Sequence, residues 1–252
     1  MKRLVIAAIL LAALAGAVLP AGAACDGEGP DADVAPTKLI GAASPSPTAP
    51  TFTQVSAGSF HTCGVKTDGT VACWGDNDGG QATPPGSFTQ VSAGFLHTCG
   101  VKTDGTVACW GDNKYEQATP PAGSFAQVSA GGLHTCGVKT DGSLACWPWQ
   151  VTPPAGSFTQ VSLGGDNSPG HTCGVKTDGT VACSGDNEYG QATPPAGSFT
   201  QVSAGGFHTC GVKTDGTVVC WGDNEDGQAT PPTASQTAAW SATSPTGPTS
   251  PT

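Results

Sequence analysis

A block of thirteen residues, His-Thr-Cys-Gly-Val-Lys-Thr-Asp-Gly-Thr-Val-Ala-Cys, recurs five times with few changes, starting at His61, His97, His134, His171 and His208. It takes up all 5 histidines of the chain and all but one of its 11 cysteines. Aligned on Cys63, Cys99, Cys136, Cys173 and Cys210, the copies follow one another at steps of 36 or 37 residues. A fixed period of this size demands an architecture that itself repeats, such as a solenoid, a propeller or an array. Side chains able to do chemistry are spent identically in every copy, so none is left for a unique catalytic centre.

A full copy reads Gly-Ser-Phe-Thr-Gln-Val-Ser-Ala-Gly, a variable pair, the block, Trp-Gly-Asp-Asn, a variable triplet, and Gln-Ala-Thr-Pro-Pro. Copy three lacks four residues after Trp147, and copy four carries four extra between Gly165 and Gly170. Copy four also has Ser184 where the others have Trp. The length changes fall between strand candidates, where loops tolerate them. With 37 Gly, 21 Pro and no extended 3.6-residue apolar period, turn-rich β structure is expected throughout.

Within the block, Cys63-Gly-Val-Lys and Thr70-Val-Ala-Cys73 flank Thr67-Asp68-Gly69. A three-residue loop ending in a left-handed glycine is a favoured hairpin connection. It pairs Lys66 with Thr70, Val65 with Val71, Gly64 with Ala72 and Cys63 with Cys73. A two-residue Asp-Gly turn would instead set Cys63 opposite Trp74, so the cysteines argue for the longer loop. Facing cysteines at a non-hydrogen-bonded site sit about 4.5 Å apart at Cα, within disulfide reach. Five local disulfides are predicted: Cys63–Cys73, Cys99–Cys109, Cys136–Cys146, Cys173–Cys183 and Cys210–Cys220. Each closes a short loop worth on the order of 2 to 3 kcal/mol in the chain-entropy view. The competing reading is a metal site, since His61, Cys63 and Cys73 share one face; it lacks a fourth ligand, and neither metal nor cofactor is expected. Each histidine is instead expected to hydrogen-bond a neighbouring strand or loop.

Residues 1–23 read as an export signal: Lys2 and Arg3, an apolar run from Leu4 to Leu19, and the small residues Ala21-Gly22-Ala23. The run is shorter than the roughly 20 residues a spanning helix needs. Export agrees with disulfides. Its removal takes away the only arginine and leaves 19 Asp and Glu in large excess over lysine. Nucleic acid, which is bound through clustered Lys and Arg, is thereby excluded as a partner. Residues 24–51 form a Pro/Ala/Ser-rich tether and 233–252 a Ser/Thr/Pro tail, both too polar to pack. Cys25, the odd cysteine, follows the signal as a lipidated cysteine would. Gly22 stands where that pattern wants leucine, which leaves lipid anchoring, a free thiol and an intermolecular pair open. Only such an anchor would tie the chain to a membrane.

Taken whole, the repeat resembles the regulator of chromosome condensation 1 (RCC1) family in its short secreted bacterial form. The matching residues are Val55-Ser-Ala-Gly58, His61-Thr-Cys-Gly-Val65, Asp68-Gly69-Thr-Val71 and Trp74-Gly75-Asp-Asn77 with Gly80-Gln81, and their later counterparts over residues 52–232. The resemblance implies an all-β fold, a β-propeller with one repeat and one stapled hairpin per blade, and Val65, Val71 and the cysteines packed between blades. Family propellers usually have seven blades, whereas five are recognisable here. A closed or nearly closed ring is expected, with an incomplete arc, open to self-association, as the alternative. The namesake's exchange of nucleotide on a small GTPase belongs to the nucleus and cytoplasm; an exported, acidic, disulfide-rich chain points elsewhere, and no exchange-factor residues carry over.

Specificity can be written only where near-identical copies differ. One set of such positions precedes each histidine: Ser59-Phe60, Phe95-Leu96, Gly132-Leu133, the insertion that begins at Asp166, and Gly206-Phe207. The other follows Gly-Asp-Asn: Asp78-Gly79, Lys114-Tyr115-Glu116, Glu188-Tyr189 and Glu225-Asp226, with Trp149 in the shortened copy. Phe60, Phe95, Tyr115, Trp149, Asp166, Tyr189 and Phe207 are the candidate contacts for a protein or glycan partner; the competing reading of the first set is that Phe60, Leu96, Leu133 and Phe207 close the blade edge. Asp76-Asn77-Asp78-Gly79 looks like a calcium-loop fragment, but lacks the full spacing and the terminal Glu, so a turn is expected. The sequence thus describes a secreted or envelope-bound, non-enzymatic interaction module. A display protein without a discrete ligand is the alternative.

Overall fold

The computed structural model describes residues 49–148, 152–165 and 170–232. The signal, residues 24–48 of the tether with Cys25, Trp149, Asp166 and the tail lie outside them. In every block the Asp-Gly turn sets the register: Gly69 has a φ of +80°, a left-handed value that a side chain would oppose, and Lys66 N–H bonds the Thr70 carbonyl at 2.8 Å. The Asp68 carboxylate fixes the turn from inside by accepting from Thr70 N–H at 2.9 Å and Thr70 Oγ1 at 2.6 Å. Val65 then faces Val71 and Cys63 faces Cys73. All five expected disulfides form, with Cα separations of 4.0 to 4.1 Å.

A third strand from the first part of each copy completes a blade. The fifteen strands of the described residues make five antiparallel sheets, each in chain order. Blade one is β1 (Phe52–Ala57), β2 (His61–Lys66) and β3 (Val71–Gly75). Blade two is β4 (Gln90–Ala93), β5 (His97–Val101) and β6 (Val107–Gly111), and blade three β7 (Phe125–Ala130), β8 (Thr135–Lys139) and β9 (Leu144–Trp147). Blade four is β10 (Phe158–Gly164), β11 (His171–Lys176) and β12 (Val181–Gly185), and blade five β13 (Phe199–Ala204), β14 (His208–Lys213) and β15 (Val218–Gly222).

Apolar residues lie between blades, not inside one. Cys63 and Val65 of blade one, with Val71 and Cys73, pack on Phe88, Val91 and Trp110 of blade two. The same arrangement follows with Cys99 and Val101 against Phe125, Val128 and Trp147, and with Cys173 and Val175 against Phe199, Val202 and Trp221. Gly100 is required there: a β-carbon on it would lie 2.6 Å from the Phe88 ring and 2.9 Å from the Gln90 carbonyl oxygen.

The first strand of each blade is a sheet edge with main-chain groups to satisfy. In blades two to five the preceding blade satisfies them. Gln54 accepts from Val91 N–H at 2.9 Å and donates to the Val91 carbonyl at 2.9 Å. Gln90 does the same to Val128, Gln127 to Val161 and Gln160 to Val202. Ser56, Ser92, Ser129 and Ser162 accept the next available N–H, from Ala93, Ala130, Leu163 and Ala204. At the turn end, Gly69, Gly105, Gly142 and Gly179 carbonyls take the N–H of Phe88, Phe125, Phe158 and Phe199. Four junctions built alike join five blades in a row, and no hydrogen bond among the described residues joins blade five to blade one.

The two irregular copies meet at one junction. Trp110 and Trp221 donate their indole N–H to the carbonyls of Gln81 and Gln191 in the preceding copies, at 2.8 and 2.9 Å. Copy three has lost residues from the stretch that presents this glutamine, and the facing position in copy four is Ser184, whose hydroxyl donates to the Thr152 carbonyl at 2.9 Å. Leu163, where the other copies have alanine, joins the apolar cluster that lacks the tryptophan.

The clamp gives a prediction with an internal control. Gln127→Ala strands a main-chain donor and acceptor and should cost about 1 to 3 kcal/mol, whereas Gln201→Ala, which loses no such clamp among the described residues, should cost a few tenths. Denaturant midpoints of the oxidised proteins measure the difference.

Candidate functional site

The chain leaves β1 through Gly58-Ser59-Phe60 into β2 and leaves β3 through Gly75-Asp76-Asn77, so both variable sets belong to the same end of each blade. Asp76 N–H bonds the Phe60 carbonyl at 2.9 Å and ties the two segments together; Asp112 with Leu96, Asp186 with Gly170 and Asp223 with Phe207 repeat this. Side chains confirm the neighbourhood across blades. Phe60 and Phe95 stack edge to face with centroids 5.2 Å apart, and Tyr189 of copy four lies 5.5 Å from Phe207 of copy five. What the sequence presents as two sets is one surface.

The loops on it are pinned. Asn77 accepts from Ala82 N–H at 2.8 Å and donates to Thr83 Oγ1 at 3.0 Å, while Asp76 accepts from Asp78 N–H at 3.0 Å. Asn113, Asn187 and Asn224 make the same pairs of bonds. Gly-Asp-Asn therefore acts as the turn that was expected, its side chains consumed by the loop's own backbone. The variable residue is held as well: Tyr115 N–H and Tyr189 N–H each donate to the side-chain oxygen of a following glutamine, Gln117 or Gln191, at 2.8 Å. With the main chain so fixed, Phe60, Tyr115, Tyr189 and Phe207 keep their rings about half exposed. Phe95, Leu96 and Leu133 are partly buried.

One loop departs from the rest. The triplets end in Gly80, Gly190 and Gly227, with φ near +80°, but copy two ends in Glu116, whose φ is +66°. A side chain in this left-handed region carries strain of roughly 1 to 2 kcal/mol. Lys114 reaches back to within 5.4 Å of the Tyr115 ring centre. Sequence comparison of the triplets held the signal, since only this one replaces the glycine.

Beneath the surface run the histidines. His61 Nε2 lies 2.6 Å from Thr98 Oγ1, and Thr98 Oγ1 in turn donates to the Gln81 carbonyl at 2.9 Å. The hydroxyl proton is committed to that carbonyl, so the histidine must donate and carries its proton on Nε2. His97 with Thr135 and Gln117, and His171 with Thr209 and Gln191, form the same relay; His134 meets Thr172 at 3.2 Å. Nδ1 of all four rings is buried without a partner among the described residues. Burial pushes His97 down to about 3 and His134 and His171 down to about 4, because protonation would charge a ring that water does not reach. These are structural rings, bridging one blade to the next.

The repeat motif of the regulator of chromosome condensation (RCC1) matches residues 52–81, 88–117, 125–147, 158–191 and 199–228, more than half of the chain. This chain belongs to the RCC1 repeat family. No curated protein matches it. Among solved structures, this RCC1 chain is similar to the entire ectodomain of the receptor kinase CR4 of Physcomitrella patens. The identity is 26%, the TM-score 0.59, and the match covers 71% of this chain and 52% of that one. It is also similar to the CRINKLY WD40 ectodomain of the Arabidopsis thaliana receptor kinase ACR4, at 30% identity and TM-score 0.55 over 71% of this chain and 67% of that one. Human WBSCR16, at 18% identity and TM-score 0.58 over 69% and 62% of the two chains, shares the fold. The RCC1 chain thus spans about half the length of the Physcomitrella ectodomain.

Two predictions arise from this site. Between pH 6.5 and about 4 the unfolded chain binds protons that the buried histidines refuse, so stability is full above 6.5 and falls as the pH drops towards 4. Thermal unfolding across that range should show the fall, and His97→Gln should lessen it by the share of one ring, leaving that of His134 and His171. Second, Glu116→Gly relieves the left-handed strain and should raise stability by about 1 kcal/mol, read from denaturant midpoints.

Proposed function

We propose that this protein is an exported, non-enzymatic interaction module that captures a partner protein on the loop end of its blades. One observation carries the reading: on otherwise repeated blades, the residues that differ project half-exposed aromatic rings from loops whose main chains are already fixed. Preorganised aromatic side chains lose little conformational freedom on binding and make strong contacts. Tyr115 is the centre of this surface in our reading, flanked by Lys114 and the strained Glu116, because strain without a stabilising role marks a position kept for another purpose. Trp149 and Asp166 belong to the same variable sets by sequence and are assigned to the same face.

Five disulfides and the likeness to two receptor-kinase ectodomains support an extracellular setting. In this reading residues 1–23 direct export, 24–51 tether the blades, 52–232 form the binding unit and 233–252 trail from it. The non-enzymatic reading rests on the histidines, which are consumed by hydrogen bonds between blades.

Capture from culture medium and envelope fractions tests the assignment. Tyr115→Ala with Tyr189→Ala should reduce recovery of the captured protein at least tenfold, equivalent to about 1.4 kcal/mol, with the fold intact by circular dichroism. Undiminished recovery would remove the loop end as the binding face.

A further inference from the structure

We infer that the outward faces of the first and last blades are two halves of one interface, and that a second copy of this chain docks its blade one on blade five, head to tail. The internal junctions define what such an interface contains. The leading blade supplies the Gln clamp, a Ser hydroxyl, a histidine, a turn Gly carbonyl and a face of cysteines and valines. The following blade supplies the edge strand, a threonine and an apolar face of Phe, Val and, where present, Trp.

Blade five holds the whole leading half without a recipient among the described residues. Among the described residues Gln201, Ser203 and His208 make none of the side-chain bonds that their counterparts make, and no N–H reaches the Gly216 carbonyl. Val218 is 45% exposed, and Cys210 and Val212, whose counterparts are buried in the earlier blades, are only partly covered. Blade one holds the whole following half. Thr62 receives no histidine, Val55 receives no glutamine and Ala57 N–H no serine among the described residues. Val55 is 40% exposed against 0% for Val91, and Trp74 49% against 9% for Trp110.

Every element missing from one face is present on the other, and four junctions in the same chain show how the pieces fit. The pairing continues an interface already formed, so it needs no new geometry: Gln201 would clamp Val55 of the second copy and His208 would donate to its Thr62. Such a contact joins unlike faces. It therefore extends a row of blades beyond one chain, and stops only where the rotation brings the row back on itself.

The two faces can be blocked separately. Val55→Lys and Val218→Lys both alter exposed positions, so circular dichroism and the absence of free block cysteines should report an unchanged fold. Light scattering after size exclusion, on the full chain with its disulfides formed, should show wild-type mass rising with concentration beyond one copy. Each variant alone should be monomeric. An equimolar mixture should return the mass of two copies and no more, because the free blade-five face of V55K meets the free blade-one face of V218K. A wild type that stays monomeric at every concentration would overturn the proposal, as when another part of the chain covers either face. So would variants that assemble as the wild type does, or a mixture that stays monomeric.

Discussion

The structure depends on the way one blade covers the edge of the next. A three-stranded sheet leaves the main chain of its first strand unpaired, and here a glutamine amide and a serine hydroxyl from the preceding blade fill that edge. An amide side chain mimics a peptide group, offering one donor and one acceptor at the spacing the strand presents. Cysteine, valine, phenylalanine and tryptophan then pack in the space this grip encloses. No blade has a core of its own; the core belongs to pairs. Stability in such a row is a sum over neighbours, and the disulfide in each hairpin secures the surface on which the neighbour rests.

Much of this was legible in the sequence. The spacing of Cys63, Asp68, Gly69 and Cys73 admits one hairpin register, and the structure has it in all five copies. The junctions were less legible, because a repeated residue in a single sequence gives no hint of which copy it touches. Gln54 reads as a polar residue of an alternating strand, and only the position of β4 turns it into a clamp. His61 bonds a neighbouring strand, as expected, but its partner, Thr98, lies 37 residues away and a single sequence does not point to it. The loss of residues after Trp147 and the serine at 184 appeared as separate irregularities, although they face each other. The period predicts a repeat in space, but not which residues of adjacent copies meet across it.

The surface at the loop end shows the same division of labour. Asp76, Asn77 and Gln81 spend their side chains on the loop's own backbone, and the residues between them are free to differ. Two variable sets, separated in each copy by the whole block, converge because β2 and β3 run out and back. The turn at one end of the hairpin is uniform and tied to the next blade, and the opposite end carries the differences. Fold and recognition are thereby kept on opposite ends of the same strands.

The glutamine clamp has one more consequence. It grips peptide groups, which every residue has, so the grip does not ask which copy it holds. A unit duplicated, deleted or moved along the row meets the same main chain wherever it lands. Recombination within the gene can then reorder the loops without disturbing the scaffold, and the arrangement of Tyr115, Tyr189 and their neighbours is open to shuffling as well as to point mutation.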